Sequence, residues 1–177
     1  NCPAARYLTR GVDRLILAYT LESGVSKPFR IRRSVASDHT DWTGVGSGFT
    51  DVSEFPYHVR GIKKLLDTIC VYTEKSIWVG TRTGASAAPI TFTPRVTDVG
   101  LYVAASLKGR NEFHLFVGND DVYEFTGSQT RGLALPVRDT LLTNLSPAST
   151  ARMWAEILID TQEYAAFSST GAATVPD

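Results

Sequence analysis

Two stretches of the chain spell the same hairpin. "ICVYTEKSIWVG" (residues 69–80) and "FHLFVGNDDVYEF" (residues 113–125) both read as apolar strand, polar turn, aromatic strand. Ile69, Val71, Ile77 and Trp78 align with Phe113, Leu115, Val122 and Tyr123, an offset of 44 residues before the turn and 45 after it. The difference is assigned to turn length, "TEKS" against "VGNDD", since hairpin turns vary without disturbing their strands. Two fainter copies flank this pair. "RLILAYT" leads through "LESGVSK" into "PFRIRRS" upstream, and "WAEILID" leads through "TQ" into "EYAAF" downstream. Period-two alternation rich in Ile, Val, Leu, Tyr and Phe is the strand signature. Repeat hairpins are therefore expected near 14–34, 67–80, 111–126 and 154–167.

Between the copies, "APITFTPRV" (88–96) reads as a further strand after the loop "TRTGASAA", and "VGLYVAASLKG" (99–109) as a strand followed by a turn. Each unit of about 45 residues then holds roughly four short strands, the period and strand count of a propeller blade. One blade cannot bury both faces of its sheet, and stacking does so. The expectation is an all-β chain of β-propeller-like repeats, about four four-stranded antiparallel blade units, in a single domain spanning 1–177. Helix signal is confined to "LPVRDTLLTNLSP" (135–147), where one or two turns would end at Pro147. The tail "SSTGAATVPD" reads as loop.

Composition narrows function mostly by exclusion. The 18 basic and 18 acidic residues give no net charge, unlike generic binders of nucleic acid or membrane surfaces. The densest basic stretch is "RIRRS". As a strand it places Arg30 and Arg32 on one face and Arg33 on the other, and solvated strand edges are the expected setting. Two cysteines, Cys2 and Cys70, offer no disulfide framework and no zinc spacing. Cys70 reads as a small strand residue, and a reducing compartment is expected. No apolar run approaches the ~18 residues of a membrane span, and no signal-peptide pattern is visible.

No catalytic, cofactor-binding or metal-binding residues are assigned. His39, His58 and His114 stand far apart with no carboxylate or cysteine at ligand spacing. His114 is expected to be solvated or hydrogen-bonded. "GVGSGFT" (44–50) lacks both the G-x-S-x-G order and the helix of a nucleophile elbow. Asp120 and Asp121 in "GNDDVY" read as turn residues tolerant of positive φ, since a calcium loop needs twelve residues and a terminal Glu. In "SVASDHTDWTGVGSGFTD" (34–51) the sialidase-type Asp-box fails: counting back from Trp42, the Ser, Asp and Gly places hold Val35, Ser37 and His39. Asp38 and Asp41 are expected in Asx turns, with Trp42 filling a gap between blades. Glu74 and Lys75 read as turn residues and not as an ion-paired site. Trp78 and Trp154 are expected to pack in blade interiors. "NLS" at Asn144 is a formal sequon with no other sign of secretion.

The order of these segments resembles the propeller proteins of tailed phages, which are tail-hub or head-to-tail stabilising components of virions. Residues 34–42, 72–78, 118–127 and 160–167 match that family's motifs in order, and the likeness runs over about residues 12–168. Asp121 stands where the family usually has Gly, and Ala165 and Ala166 where it prefers bulky residues. The resemblance implies a non-enzymatic structural component of a phage or phage-like virion. It would assemble in the host cytoplasm as a ring or homo-oligomer. Its partners would be neighbouring virion subunits such as portal, tail or adaptor proteins. It also implies a longer protein: the chain starts at Asn1 and stops after a hairpin's second strand, as a segment of a larger propeller would. A carbohydrate-binding or sialidase-like propeller used in host-surface recognition is the alternative. Its tryptophans would stack on sugar rings, although the failed Asp-box and the lack of an Arg triad count against it.

Overall fold

The structure is a computed structural model and describes residues 2–52, 57–133, 138–143, 153–158 and 163–167. Three four-stranded antiparallel sheets follow one another along the chain, and a two-stranded sheet ends the series. The first sheet is β1 (Ala4–Gly11), β2 (Arg14–Glu22), β3 (Val25–Arg33) and β4 (Gly48–Asp51). The second is β5 (Val59–Leu65), β6 (Thr68–Thr73), β7 (Ser76–Arg82) and β8 (Ile90–Thr97). The third is β9 (Lys108–Gly109), β10 (His114–Val117), β11 (Val122–Phe125) and β12 (Thr130–Gly132). The last is β13 (Trp154–Leu158) paired with β14 (Glu163–Phe167). Within each sheet the strands lie in chain order, as short turns between neighbours require.

All four expected hairpins form: β2–β3, β6–β7, β10–β11 and β13–β14. The expected offset needs correcting. Tyr72 pairs with Ile77 and Val117 with Val122, and one step in, Val71 pairs with Trp78 and Phe116 with Tyr123. The offset is therefore 45 on both sides of the turn, and both turns hold four residues. Matching Ile69 to Phe113 and Val71 to Leu115 slips the strand before the turn by one residue and turns its side chains to the wrong face. In the first sheet the turn is also tighter than "LESGVSK". Glu22 pairs with Val25 around Ser23 and Gly24 alone. Both have positive φ, 50° and 78°, the backbone that matches strand twist in a two-residue hairpin.

The segment 99–109 is not the expected strand. Its backbone crosses from the second sheet to the third: Leu101 N–H donates to Thr73 C=O (2.8 Å), and Tyr102 N–H to Val117 C=O (3.0 Å). A single 3₁₀ turn, Ala104–Ser106, and the two-residue β9 follow. Gly100 lies against the backbone of Glu74 and Lys75, where a Cβ would not fit. A short helix, α1 (Arg138–Thr143), carries Asp139 in its first turn, favourable to the helix dipole. The rest of that expected helical stretch, Asn144 and the tail from 168 lie outside the described residues.

Sheets stack face to face through three apolar clusters. The first seam joins Ile16, Ala18, Ile31 and Val52 of the first sheet and its flank to Val59, Ile62, Ile69, Val71 and Ile90 of the second. The second seam joins Leu65, Cys70, Tyr72, Ile77 and Val79 to Leu101, Phe116 and Phe125. The third joins Val103, Val117 and Val122 to Met153, with Tyr164 and Ala166 packed against it. In β6, Ile69 and Val71 enter the first seam while Cys70 and Tyr72 enter the second, as the pleat dictates. The chain is thus all-β in architecture, with several four-stranded antiparallel sheets that do not close on themselves. Among the described residues, no helix is long and apolar enough to cross a membrane.

Candidate interaction faces at the two ends of the stack

A sheet inside the stack covers both its faces, whereas the first and last sheets each leave one open. On the first sheet the open face is the one opposite Ile31. Leu8, Leu17, Arg32 and Phe49 form a single cross-strand row there. Its middle is covered, with Leu17 buried and Arg32 donating to Trp42 C=O (3.4 Å), so the row is open at its Leu8 and Phe49 ends. Leu8 is 59% and Phe49 52% exposed, flanked by Arg6 and Arg10 of β1, which share the parity of Leu8. Arg30 and Arg32 do share this face, but β3 is a central strand, so they are not at a solvated edge. Arg30 lies 3.7 Å over the Phe49 ring. It pairs with Asp51 (2.8 Å) and Glu22 (3.1 Å), and Arg32 also reaches Glu22 (3.2 Å). Charge-assisted hydrogen bonds to Asp51 raise the Arg30 pKa. Burial works to raise the Glu22 pKa, but hydrogen bonds from Thr20 and Arg30 and the two arginine charges bring it below its usual value.

At the other end, β13 pairs with β14 so that Trp154 opposes Phe167, Glu156 opposes Ala165 and Leu158 opposes Glu163. These side chains alternate outward from Ala155, which is fully buried. The Trp154 and Phe167 rings stack with centroids 4.4 Å apart. Trp154 is 52% exposed, contrary to its expected place in a blade interior. Two strands alone are marginal in water, and here the inner face supplies the anchor: Met153 is buried, and Tyr164 O–H donates to Ser106 C=O (2.7 Å). Glu156 pairs with Lys108 (3.2 Å). The first end is thus apolar with an excess of arginine, and the last is apolar with glutamates.

The remaining singled-out residues fall into structural roles. Asp38 accepts from Thr40 N–H (2.9 Å), and Asp41 from Thr43 N–H (2.9 Å) and Gly44 N–H (3.0 Å). In these Asx turns the Thr40 hydroxyl (2.7 Å) and then the Thr40 N–H hold the Asp38 carboxyl below its usual pKa, and the Thr43 and Gly44 N–H groups do the same for Asp41. Trp42 is buried, yet it belongs to none of the three seams, so it does not fill a gap between sheets. Trp78 packs on the first seam, its indole N–H donating to Ser76 Oγ (3.0 Å). The 118–121 turn closes with Gly118 N–H donating to Asp121 C=O (2.9 Å), and none of its four residues has positive φ. Glu74 is ion-paired after all: it meets Arg60, 14 residues away in sequence, with an N–O distance of 2.6 Å. Lys75 sits 5.1 Å over the Tyr57 ring.

His114 is fully buried. Its Nε2 lies 3.0 Å from Lys64 C=O, which can only accept, so Nε2 carries the proton. Nδ1 then accepts from Tyr72 O–H at 2.6 Å. Burial pushes the His114 pKa down to about 4. Burial also pushes Cys70 up to about 12, and its thiol stays protonated at neutral pH. His58 packs edge-on to Tyr19 and against Phe29. Among the described residues, no three His, Cys, Asp or Glu side chains gather as a metal site would need.

Neither a protein-family model nor a curated protein matches the chain. The two end faces were missed in the sequence, though a signal was there. In β1, Arg6, Leu8 and Arg10 alternate with Tyr7, Thr9 and Gly11, a two-residue period that marks a strand with one uncovered face.

Proposed function

We propose that this chain is a structural component of a phage or phage-like virion, acting in tail or head-to-tail assembly through protein–protein contacts. Its four-stranded units are read as propeller blades. The observation that carries the reading is the serial face-to-face stack with exposed apolar side chains at each end, Leu8 and Phe49 at the first and Trp154, Leu158 and Phe167 at the last. A sheet with exposed Trp, Phe and Leu on one face is an interaction surface. The arginine-rich first face complements the glutamate-bearing last face, which favours head-to-tail contacts between copies of the chain, with portal, tail or adaptor subunits as further neighbours. The part is non-enzymatic, and its place is the virion, assembled in the host cytoplasm. The family resemblance supplies the virion context, and the end faces supply the mode of contact.

Analytical ultracentrifugation tests the contact. Self-association that falls at least tenfold on Trp154→Ala plus Phe167→Ala, with melting unchanged, supports it. A wild-type monomer at high concentration argues against it. Mass spectrometry of purified particles tests the context, and absence of the chain from them removes it.

Carbohydrate binding is the second reading, favoured only by the exposed Trp154 ring stacked on Phe167. Glycan-array hits abolished by Trp154→Ala, with self-association intact, would select it. Trp42 is buried and cannot serve as a sugar platform.

A further inference from the structure

Arg14 and Arg33 are each only 7% exposed, and among the described residues neither has a carboxylate within 4.0 Å. Buried charges normally have an ionic partner, because desolvation is costly. Here the partners are carbonyl groups of the loop between β3 and β4 and a hydroxyl of β4. Arg14 Nη1 donates to Ser34 C=O (2.7 Å) and Gly46 C=O (3.0 Å). Arg33 Nε donates to the same Gly46 C=O (3.3 Å), and its Nη1 to Thr50 Oγ1 (3.3 Å). The "GVGSG" stretch, no nucleophile elbow, therefore wraps two guanidinium groups that share one acceptor.

Arg14 also lines a hollow of about 260 Å³ with Asp13, Ala36, Arg82, Ser86 and Pro89. Its Nη2 makes no hydrogen bond among the described residues and is not a fully buried orphan. A Cβ on Gly46 would lie 2.9 Å from that Nη2 and 2.8 Å from Ser86 C=O, so Gly46 brings the two close. Arg82 reaches Asp13 at 2.9 Å. Two guanidinium groups, Arg14 and Arg82, thus line the hollow with a single carboxylate, Asp13, which is paired to Arg82, leaving a local excess of positive charge.

The hollow is lined by the two-residue β1–β2 hairpin turn, Val12 and Asp13, between the paired Gly11 and Arg14. Val12, Asp13 and Ser37 have φ of 56°, 57° and 61°, and Ser37 N–H donates to Asp13 C=O (2.8 Å). Left-handed backbone at both turn positions is what a two-residue hairpin turn requires, although it is uncommon for a β-branched residue such as Val12. Val12 is held there by its burial in the first seam.

We propose that this hollow is a binding site for a phosphate-class oxyanion, held between Arg14 and Arg82. Guanidinium forks match phosphate oxygens in pairs, and an anion here supplies the counter-charge that the fold withholds. The ligand is the free ion or a phosphate monoester, and the site does not depend on what covers the ends of the stack.

Thermal melting of the full chain at constant ionic strength tests it, with sodium phosphate, phenyl phosphate, sodium acetate and sodium chloride as four arms. At a phosphate concentration about five times Kd, Tm should rise by roughly 2–4 °C over chloride. Phenyl phosphate matching phosphate assigns a monoester site, and phosphate acting alone assigns the free ion. Arg82→Gln, a change at an exposed side chain, should weaken phosphate about tenfold while leaving Tm in chloride within a degree or two. Arg14→Lys, which keeps the charge and loses the fork, should weaken it as well. No rise over chloride, an equal rise in acetate, or an unchanged rise in Arg82→Gln would each overturn the proposal.

Discussion

The first and second seams are built from the same two-faced sheet, yet they differ in chemistry. The first is a field of Ile and Val. The second is centred on rings: Tyr72 packs edge-on to Phe116 (5.2 Å) and Phe125 (6.2 Å), and Tyr123 stacks on Phe116 (5.8 Å). It also contains a polar link, Tyr72 to His114 to Lys64, within the apolar cluster. Aliphatic burial is non-directional and tolerates small changes of shape. Rings and buried hydrogen bonds demand geometry, and leaving one unsatisfied is expensive. The second seam should therefore fix how neighbouring sheets sit, and the first should mainly supply burial.

The largest test of that contrast is Phe116→Ala, which should cost about 3–5 kcal/mol in urea denaturation and broaden the transition. An unfolding curve like that of the wild type would remove the second seam from its central role.

Acid should act on the second seam alone at first. His114 titrates near 4 when folded and near 6.5 when unfolded, so the unfolded chain takes up the proton first. The stability its neutral form secures is complete above pH 6.5 and is lost as pH falls from 6.5 towards 4, roughly 3 kcal/mol in all. The decline between pH 6.5 and 5 precedes the carboxylates, whose unfolded values lie near 4. Denaturation midpoints that stay flat over that interval would mean His114 is not held neutral.

Tyr72→Phe keeps the ring and strands His114 Nδ1, for an expected loss of about 1–3 kcal/mol with the folded His114 still resisting protonation. Nuclear magnetic resonance titration of the imidazole, alongside urea melts, measures both. The smallest effect should come from the first seam: Ile69→Val should cost only about 0.5–1.5 kcal/mol. If it equals the loss on Phe116→Ala, the contrast between the seams fails.

What was legible in the sequence was set by local rules. "ICVYT" and "SIWVG" alternate with period two around a polar turn, and such segments pair with their chain neighbours almost wherever they lie. The alignment of the two copies failed by one residue before the turn because it matched Ile69 to Phe113 and Val71 to Leu115 and assigned the difference to turn length. The uniform offset of 45 keeps faces alike: Val71 and Phe116 both point to the preceding sheet, Tyr72 and Val117 to the following one. The strand expected over 99–109 fails because its backbone donors are taken up by Thr73 and Val117 of two different sheets, a pairing visible only in three dimensions. The end faces were harder still. Alternation marks Trp154 and Leu158 as one side of a strand, but which side is covered depends on the neighbouring sheet. Glu74 and Arg60 meet across β5 and β6 through a register shift beside Arg60, which no spacing rule anticipates.

Because β6 sends successive residues to opposite seams, both seams rest on one set of backbone hydrogen bonds. Loosening that strand opens both at once, so neither can melt through it privately. Amide exchange should therefore grade along the chain, slowest in the second sheet and faster towards β1 and β14. Cys70, protonated and sealed in the second seam, should react with thiol reagents only at the rate at which this middle layer opens, while the exposed Cys2 reacts at once.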